Sequence, residues 1–128
     1  MAKAFRLTAP KPFIPKEYDE QVEVFNWLAT CQLDGADMAF GSLGGIRLPI
    51  GLAVKAKKAG NKPGVTDILI DVARHGFHGF RGEMKREKGG VLSGDQESWH
   101  IRLREEGYYV CVARGAKAMI DEIKEYLR

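Results

Sequence analysis

Two short runs hold residues whose types and spacing suit chemistry. In GVTDILIDV, Asp67 stands at the start of an apolar run; in FRGEMKREKGGVLSGDQ, Glu83-Met84-Lys85 follows sixteen residues later. An acid on one run, with an acid and a lysine on the next, is a set suited to metal-assisted cleavage of a phosphodiester. That reaction needs charge neutralised in the transition state and a hydroxide delivered in line, and a divalent cation can do both. Carboxylate oxygens suit hard ions such as Mg²⁺ or Mn²⁺, which bind through few protein ligands and keep several waters. Asp67 and Glu83 would be those ligands, with the Met84 carbonyl a candidate third and Glu17 approaching from a helix. Lys85, on the same strand face as Glu83, could lower the pKa of the attacking water or contact the scissile phosphate. Taken alone, Glu-x-Lys in a strand is an ordinary solvent-facing pair that contributes little. The elements around it must therefore decide.

Val65 to Val72 is rich in β-branched and aliphatic residues, and Phe77 to Arg86 sets Phe80, Gly82 and Met84 on one face against Arg81, Glu83 and Lys85 on the other. The connector Ala73 to Gly76 is short enough for an antiparallel hairpin, which would bring Asp67, Glu83 and Lys85 together at a strand end. After Gly89-Gly90, Ser93-Gly94-Asp95-Gln96 has the form of a capping box and opens a helix that carries Trp99 and Leu103 inward and stops at Gly107. Gln96 is thus either the partner in that box or a site residue. Tyr108 to Ala113 reads as a buried strand, and Ala116 to Leu127 as an amphipathic helix through Met119, Ile120, Ile123 and Leu127.

Upstream, Pro10, Pro12 and Pro15 make residues 1–16 an extended arm. Residues 17–128 form a single domain. From Glu17 to about Cys31 the pattern is helical, with Tyr18, Val22, Phe25 and Ala29 as the apolar stripe. On a helical wheel Glu17, Gln21 and Leu28 share one edge of that stripe, while Glu20, Glu23 and Trp27 point away. Glu17 and Gln21 are then the polar pair at the core boundary, although Glu20 is close by. Trp27, exposed on this reading, hints at a partner surface. Met38-Ala39-Phe40 is a short strand entering GSLGGIRL, which lacks the spacing of a nucleotide-binding P-loop; Arg47 could reach a phosphate from there. A short helix from Ile50 to Ala59 carries Lys55, Lys57 and Lys58, and Lys62 follows. These would position a nucleic-acid backbone rather than read its sequence.

The composition, 45% hydrophobic and 29% charged, is that of an ordinary globular protein. Nothing approaches the roughly twenty apolar residues of a membrane span, and the N-terminus lacks a signal-peptide core. Cys31 and Cys111 lie far apart without metal-ligand spacing, which points to buried thiols in a reduced compartment. A cytoplasmic protein without a membrane partner is expected. The net charge of +3 is unevenly spread: Arg47 to Lys88 holds ten basic residues against four acids, a concentration that attracts polyanions.

The order helix, three strands, helix, strand, helix, together with PGVTDILI, HGFRGEMKREKGGVLSGDQ and GYYVCVARG, resembles the virus-type replication-repair nuclease (VRR-NUC) family of the PD-(D/E)XK superfamily, over Glu17 to Leu127. The resemblance implies an α/β fold with a restriction-endonuclease-like α-β-β-β-α-β core and a mixed central sheet flanked by helices. It also implies a Mg²⁺- or Mn²⁺-dependent DNA endonuclease, phage-encoded and acting in the bacterial host, homodimeric and directed at branched DNA such as four-way junctions. Asp67 and Glu83 match the family's metal-binding acids and Lys85 its lysine. Gln96 matches the supporting glutamine, and Glu17 with Gln21 the pair of the first helix. Arg86 and Lys88 add to the DNA-binding set. GSLGGIRL lacks the asparagine expected in the family's glycine-rich loop, which counts against Ser42 and Arg47 as site residues. A non-catalytic DNA-binding module that kept the fold is the alternative reading.

Overall fold

A computed structural model describes residues 16–42 and 46–128. The proline-rich stretch 1–15, and Leu43, Gly44 and Gly45 of the glycine-rich loop, lie outside the described residues. In chain order the elements are α1 (Glu17–Leu28), a 3-10 turn (Ala36–Met38), β1 (Ala39–Gly41), α2 (Ile50–Lys58), β2 (Ile68–Ile70), β3 (Phe80–Lys85), α3 (Gly94–Glu105), β4 (Tyr109–Arg114) and α4 (Ala116–Leu127). The strands form one mixed sheet in the order β1-β2-β3-β4, antiparallel except for the parallel pair β3-β4. No helix among the described residues is long and apolar enough to cross a membrane.

The hairpin joining β2 to β3 turns on His75 and Gly76, whose φ of 53° and 84° both lie in the left-handed region. Arg74 and Phe77 bridge across it. Two consecutive positive φ values give the turn whose twist matches paired strands, so the register that follows, Ile68 opposite Gly82 and Ile70 opposite Phe80, is set locally. Both strands are shorter than their sequence patterns suggest.

One sheet face carries Ile68, Ile70, Phe80 and Met84, each wholly buried together with Val24 of α1 and Met119 and Ile123 of α4. A Cβ at Gly82 would lie 2.8 Å from the Met119 sulfur, so α4 sits directly on the sheet there. The opposite face carries Arg81, Glu83 and Lys85 and meets α3.

Helix α1 is rotated relative to the expected stripe. Tyr18 and Val22 are exposed, and the buried residues are Glu20, Val24 and Leu28. The reason is chemical. An acid in the second row made that row look solvent-facing, yet the Glu20 carboxylate accepts the Ala116 N–H at the start of α4, a helix whose N-cap, Gly115, has no side chain to do so. Satisfied in this way, a carboxylate can be buried. Trp27 on the same side is half-buried rather than exposed, with the Lys124 ammonium 5.8 Å from the ring centre. In α3 the fully buried residue is His100, while Trp99 and Leu103 are only partly covered. Helix α2 forms where expected and buries none of its residues.

Candidate active site

Extending the β2-β3 register by one step sets Asp67 opposite Glu83. Both are buried, Asp67 at 5% and Glu83 at 0% exposure. Asp67 Oδ2 accepts the Met84 N–H at 2.7 Å, which fixes the carboxylate and the peptide that follows Glu83 at the same time. The two carboxyls are close enough for the charge of Asp67 to act directly on Glu83. Glu83 Oε1 accepts from Gln96 Nε2 and lies 3.9 Å from Lys85 Nζ. Glu83 Oε2 has no donor among the described residues.

Such a pair resists ionisation. Burial is the main force raising Asp67, and the charge of Glu17 adds to it against the Met84 N–H, which favours the anion. Burial likewise comes first for Glu83, followed by the Asp67 charge, with Lys85 opposing both. Two facing carboxyls in low dielectric hold on to a proton between them. A cation replaces that proton naturally.

Gln96 is placed by the start of α3. The Ser93 hydroxyl accepts the Gln96 N–H at 3.1 Å, and Gln96 Oε1 accepts the Ser93 N–H at 2.9 Å, completing a capping box. With its oxygen so committed, the amide must point its NH₂ at Glu83. The two readings of this residue are therefore not exclusive.

Glu17 faces this region from α1, whereas Gln21 lies outside its lining. A hollow of about 430 Å³ is lined by Glu17, Lys57, Lys62, Gly64, Asp67 and Gln96 among others. Gly64, at φ 85°, closes one side: a Cβ there would lie 2.6 Å from the Asp95 carbonyl, so only glycine lets this turn lie against the start of α3. The Gln21 amide reaches β1, where its Nε2 would be 3.1 Å from a Cβ at Gly41. Ser42 N–H donates to the Asp67 carbonyl at 2.9 Å, while its buried hydroxyl has no partner. Glu20 is committed to α4 and lies outside this hollow's lining. Of the basic residues, Lys57 and Lys62 line the hollow; Arg47, Lys55, Lys58, Arg86 and Lys88 are exposed and do not.

The donors present fit a hard cation. They are all oxygen, two are buried carboxyls, and one carboxyl oxygen has no partner; Mg²⁺ and Mn²⁺ accept such a set when water completes it. Among the described residues no three acid, histidine or cysteine side chains converge closely enough to enclose an ion by themselves. Asp67 and Glu83 are thus the pair that would hold it, and Glu17 stands further out.

Two nearby residues gave no clear signal in the sequence. His100, one helical turn beyond Gln96, is 2% exposed with Nε2 unpartnered; burial and then the charges of Arg104 and Lys85 lower its pKa. Its i, i+4 spacing from Gln96 was the one available hint. Arg114, in register with Lys85 across β3-β4, donates to three carbonyls of the loop that follows Lys85.

No family model and no curated protein matches the sequence. Among solved structures the chain is similar to one described as a "VRR_NUC domain protein", with a TM-score of 0.76 and 30% identity over 90% of this chain and 90% of that one.

Proposed function

Since this chain belongs to the VRR-NUC family, with an α/β, restriction-endonuclease-like fold, we propose that it is a Mg²⁺- or Mn²⁺-dependent endonuclease that hydrolyses phosphodiesters in branched DNA. The observation that carries this reading is the buried Asp67–Glu83 pair with Lys85 beside it. A divalent cation held there would polarise the phosphate and lower the pKa of a bound water.

The protein's own residues set the geometry for this. Asp67, fixed by the Met84 N–H, and Glu83, fixed by Gln96, present oxygens from neighbouring strands. Met84's carbonyl belongs to the same short stretch and is a candidate third ligand. Lys85, 3.9 Å from Glu83 Oε1, would offset charge that develops on the reacting phosphate. Glu17 would orient water from the far side of the hollow, with Gln21 supporting the α1–β1 contact. Lys57 and Lys62, then Arg47, Lys55, Lys58, Arg86 and Lys88 further out, would hold flanking phosphates. A homodimer acting in the cytoplasm, on a junction whose arms are related by symmetry, completes the proposal.

The test is incubation of end-labelled four-way junction and linear duplex with Mg²⁺, Mn²⁺ or EDTA. Metal-dependent cutting that favours the junction, and a loss of at least about 100-fold in Glu83→Ala, are expected. Binding without cutting under every metal condition would leave the alternative, a DNA-binding module that retains the fold. The mass in solution reports the dimer.

A further inference from the structure

The loop between β3 and α3 is held by a single side chain in an unusual way. Arg114 Nη1 donates to the carbonyls of Arg86 at 3.1 Å and Gly89 at 2.6 Å, and Nη2 donates to that of Gly90 at 2.9 Å. Every peptide bond among the described residues is trans, and in a planar trans peptide the N–H points opposite to the C=O. Three carbonyls turned toward one guanidinium therefore turn the N–H groups of Glu87, Gly90 and Val91 away from it. None of those three donates a hydrogen bond among the described residues. Gly89 and Gly90 permit the path by adopting φ of 78° and 65° in succession.

The surroundings favour an anion. Lys88 is exposed within the loop. The loop's one acid is turned aside: Glu87 packs at the α4 N-cap, its Cγ 3.1 Å from where a Gly115 Cβ would be. The loop also touches the site, since a Cβ at Gly90 would lie 3.7 Å from Lys85 Cδ. Successive outward N–H groups of a turn form concavities that bind phosphate.

We propose that residues 86–91 form a backbone phosphate clamp, built on Arg114, that holds a phosphodiester flanking the scissile one. Arg114 is a positioning residue: it orients the amides and need not touch the nucleic acid. Recognition through main-chain amides is independent of sequence. The inference rests on the nuclease reading for its ligand, but it can fail separately.

The experiment uses the whole ¹⁵N-labelled chain in EDTA, titrated with a short DNA duplex and, in parallel, with inorganic phosphate. The Glu87, Gly90 and Val91 amide resonances are expected to shift with duplex and saturate. Arg114→Ala is expected to bind duplex about tenfold more weakly, with partial rescue by free ethylguanidinium and no rescue by Arg114→Lys, which cannot span three carbonyls. Duplex binding that leaves the three amides unmoved overturns the clamp while sparing the nuclease reading. Shifts with phosphate alone and none with duplex would make it a free-anion site and also overturn the clamp. No binding of duplex at all overturns the clamp, while the nuclease reading is decided separately by the junction-cleavage assay. Should Arg114→Ala fail to fold, the amide shifts in the unaltered chain still decide.

Discussion

Glu83 is the residue whose environment says most. Burial and the neighbouring Asp67 charge push its carboxyl up to about 8, and a raised acid has a definite consequence for stability. In the folded state the group stays protonated over a range where the unfolded chain has already ionised, so the folded state binds more protons. Stability is then greatest below the ordinary carboxylate range and falls as pH rises toward 8. One pKa unit corresponds to about 1.4 kcal/mol, which makes the loss on the order of a few kcal/mol. In EDTA, the melting temperature should decline between pH 5 and pH 8 by on the order of 10 °C. Glu83→Gln keeps a neutral group of the same shape, so its melting curve should fall much less over that range, with only the raised Asp67 still titrating, and lie above wild type at pH 8. Parallel pH dependence in the two proteins would show that Glu83 is not the group responsible.

Glu17 and Glu20 separate by the same kind of reasoning. Glu20 is buried with its carboxylate on the α4 N-terminus, so Glu20→Ala should cost about 1–2 kcal/mol of stability, or roughly 4–10 °C. Glu17 lines the hollow beside Asp67, so Glu17→Ala should leave the melting temperature within a few degrees and reduce cleavage by about 10–100-fold. Paired melting and cleavage assays on the two variants distinguish the acids; the reverse pattern would move the site one turn along α1.

Among the elements, α3 is the one on which fold and site depend together. Its first turn is tied by Ser93 and Gln96, and the same Gln96 side chain reaches Glu83. Ser93→Ala removes one capping bond directly and frees the amide to rotate. A loss of about 1 kcal/mol is expected from the cap, accompanied by a drop in turnover that a cap of purely structural value would not produce. Steady-state cleavage alongside calorimetry would show it, and unchanged turnover would confine Gln96 to capping.

Why some of these elements were legible in the sequence follows from where their signals lie. The His75-Gly76 turn and the Ser93–Gln96 box are local, each encoded within four residues, and α4 shows its apolar row plainly. The face of α1 was not legible, because Glu20 is buried by a partner ninety-six residues away. Helix α2 showed its lysines but gave no sign that it would bury nothing. Arg114 escaped for the same reason as Glu20: its three acceptors lie twenty-four to twenty-eight residues upstream. At the site, Asp67, Glu83 and Lys85 stood out because strand pairing is regular enough to extrapolate, whereas His100 looked like one polar residue in a polar helix.

At the scale of the whole molecule, the site is a local instability carried by an otherwise well-packed domain. Four buried side-chain atoms among the described residues lack partners, on Ser42, Thr66, Glu83 and His100. Glu83 belongs to the carboxyl pair, Thr66 precedes Asp67, Ser42 N–H donates to the Asp67 carbonyl, and His100 lies one helical turn beyond Gln96. Desolvated polar groups left in this state cost stability, and a bound cation with its waters would recover part of that cost. A ligand that binds only the folded state stabilises it by RT ln(1 + [L]/Kd), about 2.7 kcal/mol at a hundredfold excess over Kd. Proton and cation compete for the same carboxyls, so the gain depends on pH. At pH 8 the folded protein is at its least stable without metal and has the fewest protons to displace. Mn²⁺ or Mg²⁺ should therefore raise the melting temperature by about 5–10 °C at pH 8 and by much less at pH 5.5, with Ca²⁺ as the control for any hard cation. Glu83→Gln should lose most of that rise at both pH values, since an amide oxygen is a weaker ligand and has no proton to exchange. Thermal melts in EDTA and in each ion, at two pH values, read this without any nucleic acid present. A rise of equal size in the variant would place the cation elsewhere on the domain.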